Sequence, residues 1–261
     1  GMTTETSLLR VEIAGAVAHL RLARPAKRNA INNTLVRALE HAFADLPGSV
    51  RAAVISGEGE HFCAGLDLSE VTEQTVAEGI HHSRGWHAAF DRIQFGPVPV
   101  IAVLHGAVVG GGLELAATAH LRVAEASAFY ALPEGQRGIF VGGSGSVRIP
   151  RLVGVSRMTD MMLTGRVLDA AEGHAAGISN YLVGAGEGLA KAMALAERIA
   201  RNAPLSNYAI VQALPRIAEM SPSEGLFVES LMSAIAQGDE AAKQRVRDFL
   251  AKRAGKVGDP Q

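Results

Sequence analysis

The chain has 261 residues, of which 48% are hydrophobic and 20% charged, and its formal net charge is −1. This composition argues against disorder, and the even charge gives no indication of a nucleic acid or an anionic membrane surface as partner. The single cysteine excludes an internal disulfide, and no signal-peptide or membrane-spanning pattern is seen, so we expect a cytoplasmic protein.

Apolar periodicity and turn residues predict an α/β domain with much parallel sheet in the first half of the chain. We expect Asn33 to cap the first helix, and Gly79 and Gly85 to break the second. The predicted elements are a hairpin over 8–13 and 16–22, a helix after Asn33, a strand over 52–55, a broken helical segment ending near Phe95, a strand over 100–104, a helix after residues 110–112 and a strand over 121–124.

From about residue 145 the pattern becomes helical. Helices are predicted over 148–152, 155–163, 188–202, 205–220, 223–237 and 239–252, with one strand-like segment over 178–183. We expect this part to pack on the sheet or on another subunit.

Three adjacent glycines, Gly110 to Gly112, stand between a buried strand and an alanine-rich segment that contains Glu114. Glycines let the backbone approach a ligand closely, and the first amides of a helix have no partner inside it, so they can bind an oxyanion. The alternative is a tight strand-to-helix crossing in which Glu114 complements the helix dipole.

A second glycine-bearing stretch, residues 61–68, follows another strand. Its turn can direct the amide of Leu66 into a pocket, where the amide of Gly111 can converge on the same point. Two amides on one carbonyl oxygen form an oxyanion hole, in which one donor is typically worth roughly 3 kcal/mol of catalysis.

The third stretch runs from Phe129 to Gly135 and contains Glu134, with a glycine-rich turn after it at 142–145. Two carboxylates held close together do not both ionise easily, so a Glu114 and Glu134 pair can supply a base and an acid. The alternative for Glu134 is a surface or helix-terminal carboxylate.

Other candidate residues are interpreted as structural. Asp67 is expected to support its loop or form a salt bridge, and Ser144 does not fit a nucleophile motif. Cys63 has no basic partner in the sequence, so it is interpreted as a small buried residue and not as a nucleophile. The three histidines of the second helix lack zinc-pair spacing and are interpreted as surface or packing residues: His81, His82 and His87.

Together these three stretches resemble the crotonase superfamily, also called the enoyl-CoA hydratase/isomerase family, over nearly the whole chain. The resemblance implies an α/β fold of the ClpP/crotonase type, a spiral of ββα units, with a core domain over 1–195 and a helical C-terminal trimerisation region over 196–261. It also implies a homotrimer or a dimer of trimers.

The resemblance implies that the amides of Leu66 and Gly111 bind the thioester carbonyl of an acyl-CoA. Glu114 then acts mainly as base toward a water molecule, Glu134 mainly as the acid at Cα, and the Gly142 amide helps to hold the water. No metal and no separate cofactor are implied, because coenzyme A enters as part of the substrate.

The same resemblance places seven residues near coenzyme A. Lys27 and Arg28 would meet its phosphates. Ala64 and backbone atoms of Asp67 and Leu68 would lie near pantetheine and adenine. Phe249 and Lys252 would reach the CoA of a neighbouring subunit. Ordinary positions on an amphipathic helix are the alternative for the last two.

The predicted activity is reversible hydration of a 2-enoyl-CoA to a 3-hydroxyacyl-CoA. Δ3-Δ2-enoyl-CoA isomerisation is the alternative within the family, whose isomerases often keep only the second glutamate. A non-catalytic acyl-CoA binder or assembly subunit is the alternative from another class. Residues 134–141 depart from the apolar run typical of hydratases, so the acyl group stays open.

Overall fold

The computed structural model describes residues 2–5, 8–70 and 72–251. Within these ranges the strands are β1 (Met2–Glu5), β2 (Leu9–Ala14), β3 (Val17–Leu22), β4 (Ala52–Gly57), β5 (Val100–Leu104), β6 (Ala107–Val109), β7 (Leu121–Glu125), β8 (Phe129–Ala131), β9 (Leu168–Asp169) and β10 (Tyr181–Val183).

The helices are α1 (Asn33–Ala44), α2 (Val76–Gln94), α3 (Gly111–Ala116), α4 (Gly145–Arg148), α5 (Pro150–Val153), α6 (Val155–Thr164), α7 (Ala170–Ala176), α8 (Gly188–Ala200), α9 (Pro204–Ile217), α10 (Pro222–Gly238) and α11 (Glu240–Leu250). Short 3-10 helices cover Pro25–Lys27, Leu68–Glu70 and Pro133–Arg137.

The larger sheet has the strand order β1-β2-β3-β4-β5-β7-β10. Its first three strands are antiparallel, and the pairs from β3 to β10 are parallel. β4 and β5 are buried along almost their whole length, as expected for central parallel strands that are covered on both faces. The predicted α/β crotonase fold is confirmed.

Helices cover both faces of this sheet. On one face Val54 and Ile101 pack against Ala192 and Ala196 of α8. On the other face a larger core includes Ile55 and the buried sides of α1, α2 and α3. The main sheet is therefore the rigid layer against which the functional segments are placed.

The smaller sheet has the order β6-β8-β9, with β6 and β8 parallel. The sequence did not predict this sheet, because strands of two or three residues are too short to show a periodic pattern. It is the element that positions the candidate site.

Two predicted helix features are wrong. α2 is continuous through Gly79 and Gly85, because burial of Trp86 and Phe90 supports it and the cost of a helix glycine is only about 1 kcal/mol. α1 is capped by Asn32, whose side chain accepts a hydrogen bond from the Leu35 amide; the predicted cap, Asn33, is the first helical residue.

The C-terminal part is helical, as predicted, and α9 contacts α10. The proposed domain boundary after residue 195 falls within α8 and stays a prediction. Large apolar side chains are exposed on α10 and α11: Leu226, Phe227, Leu231, Ile235, Val246, Phe249 and Leu250. Among the described residues, no helix has the length and apolar character needed to cross a bilayer.

Candidate active site

The candidate active site is a cleft of about 330 Å³ between α2, the loop before it, α3 and the segment after β8. This volume lies within the usual range of ligand pockets. Seven of the residues singled out from the sequence line the cleft: Ala64, Leu66, Leu68, Gly111, Glu114, Glu134 and Gly142. Four others do not line it, namely Lys27, Arg28, Asp67 and Phe249, and Lys252 lies outside the described residues.

Two short parallel strands bring the two glutamates together. The chain leaves β6 and β8 at the same edge of the small sheet, and the Gly110 amide donates to the Ala131 carbonyl at 2.9 Å. α3 follows β6 and carries Glu114, while the 3-10 helix Pro133–Arg137 follows β8 and carries Glu134. Both glutamates are buried, which removes the surface-carboxylate alternative for Glu134.

The amides of Leu66 and Gly111 lie beside each other in the cleft. A methyl group added at Gly65 would lie 3.2 Å from Gly111 N, and one added at Gly111 would lie 3.5 Å from Leu66 N. Neither amide donates a hydrogen bond to any group in the described part of the chain. Two free donors at this spacing can bind one carbonyl oxygen.

Asn29, to which the sequence predicts no role of its own, fixes the loop that carries Leu66. Its buried amide group donates to the carbonyls of Glu58 at 3.0 Å and His61 at 2.8 Å, and its Oδ1 accepts from the Arg24 amide. The side chain thus replaces backbone pairing within a loop that has little of its own.

Asp67 supports the same loop, as predicted. Its carboxylate accepts from the amide and hydroxyl of Ser69 and lies 2.7 Å from Arg24 Nη1. These hydrogen bonds, with the Arg24 charge, lower the pKa of Asp67 to about 2. Its backbone amide and carbonyl pair with Ile31 and Glu70. The assignment of Asp67 to a coenzyme A site stays a prediction.

Lys27 and Arg28 are exposed beside the cleft, where the Arg28 carbonyl accepts from the Ala64 amide at 2.9 Å. Phe249 is exposed on α11. The assignment of these residues, together with Leu68, to a coenzyme A site stays a prediction.

Cys63 is fully buried, and burial raises the pKa of its thiol to about 12. Its Sγ donates to the Asn29 carbonyl, and a methyl group at Gly112 would lie 2.1 Å from the Cys63 carbonyl oxygen. This agrees with the structural interpretation of the thiol. The close approach explains why the third glycine of the triad is needed.

Glu114 is held by the glycine-rich turn at 142–145, which follows the segment that carries Glu134. Its Oε2 accepts from the amides of Gly143 at 2.7 Å and Gly145 at 2.8 Å, while its Oε1 accepts no hydrogen bond from the described residues. Burial raises the pKa of Glu114 to about 7; the charge of Glu134 adds to this rise, and the two amides with the charge of Arg148 oppose it.

Glu134 has a different environment. Its Oε2 is buried and has no hydrogen-bond partner within the described part of the chain. Gly110 has a φ of 55°, and a methyl group there would lie 2.8 Å from Oε1 of Glu134, so glycine is favoured. Burial raises the pKa of Glu134, and its own backbone and the Arg137 charge oppose this. Two amides of a separate turn thus hold one carboxylate, whereas the other is not held in this way, which favours different proton roles.

α2 supplies two site residues that the sequence analysis did not single out, Ser83 and Trp86. The Ser83 hydroxyl donates to the Gly142 carbonyl at 2.6 Å. The Gly142 amide has no partner among the described residues. The Trp86 ring lies close to Gly111 and Gly143. Ser83 and Trp86 lie three residues apart on a helix face that also carries Phe90. This spacing is the sequence signal that could have identified them.

His82 lines the cleft and its ring contacts Trp86, with 5.9 Å between centroids. His87 is partly buried and hydrogen-bonds Ser83, whereas His81 is exposed. No cluster of three or more histidine, cysteine, aspartate or glutamate side chains suited to a metal ion occurs among the described residues.

Residues 12–259 match the enoyl-CoA hydratase/isomerase family. A 2,3-dehydroadipyl-CoA hydratase of Escherichia coli K12 is 34% identical over 238 residues, covering 90% of this chain and 92% of that protein. A provisionally named enoyl-CoA hydratase of Rhodopseudomonas palustris has a crystal structure that is 57% identical, with a TM-score of 0.93 and coverage of 97% and 98%.

A similarly named protein of Thermobifida fusca, solved in complex with acetoacetyl-CoA, is 25% identical, with a TM-score of 0.81 and coverage of 88% of this chain and 94% of that one.

Proposed function

Because the chain belongs to the enoyl-CoA hydratase/isomerase family, also called the crotonase superfamily, we propose that it is an enoyl-CoA hydratase. It would add water reversibly to a 2-enoyl-CoA and give a 3-hydroxyacyl-CoA. One observation carries the proposal: two buried carboxylates, Glu114 and Glu134, line the same cleft as the free amides of Leu66 and Gly111.

In the proposed reaction the thioester oxygen accepts hydrogen bonds from the amides of Leu66 and Gly111. This polarises the conjugated system, so that Cβ becomes electrophilic, and it stabilises the enolate that forms when Cβ is attacked. The loops that carry the two amides already lie against each other.

The proton transfers fall to the two glutamates. Glu114 accepts a proton from water through its free Oε1 while the hydroxyl bonds to Cβ, and Glu134 gives a proton to Cα. A pKa of about 7 lets Glu114 be ionised near neutral pH, and burial raises the pKa of Glu134. Exchange with solvent restores both protonation states. The free Gly142 amide is proposed to orient the water.

The test follows the loss of the conjugated thioester absorbance with short, medium and aryl 2-enoyl-CoAs. Glu114→Gln and Glu134→Gln should each lower kcat by roughly 10²- to 10⁴-fold, the range for one general acid or base. If either variant keeps near-native hydration, the role given to that glutamate is wrong.

Isomerisation of a 3-enoyl-CoA is the second candidate. The unpartnered Oε2 of Glu134 favours it, since one unrestrained carboxylate can move a proton between two carbons. Native protein that shifts the 3-enoyl double bond but hydrates no 2-enoyl-CoA would establish this alternative. Binding of acyl-CoA with neither reaction would instead favour the non-catalytic binder.

A further inference from the structure

The turn that holds Glu114 is strained at its centre. Gly143 and Gly145 donate their amides to Glu114, and between them Ser144 has a φ of 75°. A residue with a side chain adopts this left-handed conformation only where its surroundings fix it.

α2 holds the first end of this turn through Ser83, whose hydroxyl donates to the Gly142 carbonyl at 2.6 Å. It also carries Asp91 and Gln94 farther along, two and three helical turns beyond Ser83. These two side chains face the second end of the turn.

Arg148 connects them to the turn. Its side chain is buried, with 7% exposed, and it lines the groove on the far side of the turn and not the cleft. The guanidinium donates to Gln94 Oε1 at 2.5 Å, to Asp91 Oδ1 at 2.7 Å and to the Ser144 hydroxyl. The Ser144 hydroxyl in turn donates to the Gly143 carbonyl.

We propose that Arg148 is a positioning residue, which fixes Ser144 against α2 and so holds the amides of Gly143 and Gly145 on Glu114. The proposal rests on the proposed function only in treating Glu114 as the base. Arg148 does not touch the reacting atoms, because it reaches Glu114 through the turn.

The same arrangement has an electrostatic consequence. The charged groups that act on Glu114 are Glu134, from the 3-10 helix after β8, and Arg148, from α4. Arg148 lowers the pKa of Glu114 and Glu134 raises it. Removal of the Arg148 charge should therefore move the ionisation of Glu114 above its value of about 7.

Trp86 is the only tryptophan in the sequence and provides a readout that does not depend on activity. A methyl group at Gly143 would lie 2.7 Å from its Cε3 and 3.1 Å from Glu114 Cδ, so the indole and the carboxyl flank the same glycine. We would titrate its fluorescence with pH in a His82→Asn background, because the His82 ring also contacts the indole. Glu114→Gln in that background identifies the transition that belongs to Glu114.

Arg148→Gln should raise the midpoint of this transition by up to about 1 pH unit, because it removes the Arg148 charge and loosens the two amides that also lower the pKa of Glu114. Arg148→Lys keeps the charge but loses the three-way hydrogen bonding, so its midpoint should lie between those of the parent protein and Arg148→Gln. Arg151→Gln is the matched control: it removes a neighbouring, exposed arginine that lines the same groove, and should leave the midpoint unchanged.

Ser144→Gly separates positioning from folding, because glycine adopts a φ of 75° without strain. A purely structural role predicts unchanged or higher stability with unchanged kinetics. The positioning role predicts a kcat roughly 10- to 100-fold lower with KM little changed.

An unchanged midpoint in folded Arg148→Gln would overturn the proposal, and so would an unchanged kcat in Ser144→Gly. If Arg148→Gln does not fold, the Lys and Gly variants decide. If native protein hydrates no enoyl-CoA, the proposed function fails, and the fluorescence titration still decides whether Arg148 acts on Glu114.

Discussion

At the scale of a single residue, the pKa of Glu114 is set by opposing effects. Its burial and the nearby Glu134 favour the protonated form, whereas two amides and the Arg148 guanidinium favour the carboxylate. The pKa of about 7 is the balance between them, and it lies well above the value of 4.5 for an ordinary glutamate. Such a rise also affects the free energy of unfolding, because the folded state binds this proton more tightly than the unfolded chain.

Glu114→Gln should therefore change stability in a pH-dependent way. Stability that comes from the raised pKa is fully present below pH 4.5 and is lost as the pH rises through about 7. Glutamine mimics the protonated form, so the variant should match the native protein near pH 4.5 and exceed its free energy of unfolding by about 3 kcal/mol above pH 7.

Denaturant unfolding of both proteins between pH 4.5 and 8 measures this difference. Glu229→Gln, at an exposed position on α10, controls for the loss of one carboxylate. A difference between native protein and Glu114→Gln that does not vary with pH would contradict the raised pKa.

At the scale of an element, α2 contributes more to the site than its sequence indicated. Ser83 on its polar face hydrogen-bonds to the turn over 142–145, and its apolar face buries Trp86 and Phe90 in the core. The two glycines that predicted a break are tolerated within a continuous helix.

Gly85→Ala should stabilise the protein by about 1 kcal/mol and leave activity unchanged, since alanine is the better helix former and no atom of the described residues lies within 4 Å of the added methyl group. Thermal unfolding measures the change. Gly112→Ala is the contrasting variant: its methyl group would meet the Cys63 carbonyl at 2.1 Å, so it should be destabilised. A lower melting temperature for Gly85→Ala would mean that a break in α2 is needed.

The elements that could be predicted from sequence are those with enough length to show a period, such as β4, β5 and the C-terminal helices. The glycine-rich motifs also indicated Leu66, Gly111 and the two glutamates as one site. Asn29 and Arg148 could not be found this way, because their partners lie 29 and 57 residues away along the chain. Their importance comes from tertiary contacts, which no local pattern contains.

At the scale of the whole molecule, α10 and α11 carry exposed apolar side chains that a lone chain would leave in water. Their number, on two consecutive helices, favours contact with other subunits. The predicted homotrimer, or dimer of trimers, is the assembly that we propose for them.

Light scattering at micromolar concentration should give about 82 kDa for a trimer, three times the chain mass of 27.3 kDa, or twice that for a hexamer. Phe227→Glu, which places a charge among these side chains, should lower the measured mass, whereas Glu229→Gln should leave it unchanged. A monomeric native protein would remove both the assembly and the cross-subunit role predicted for Phe249 and Lys252.

Cys63 makes the rigidity of the whole site measurable. Its thiol has no exposed surface, burial raises its pKa, and it lies between Asn29 and the glycine triad. An alkylating reagent therefore reaches it only in molecules whose oxyanion loop has opened. The rate of labelling under native conditions measures the free energy of that opening, and therefore how firmly the amides of Leu66 and Gly111 are preorganised.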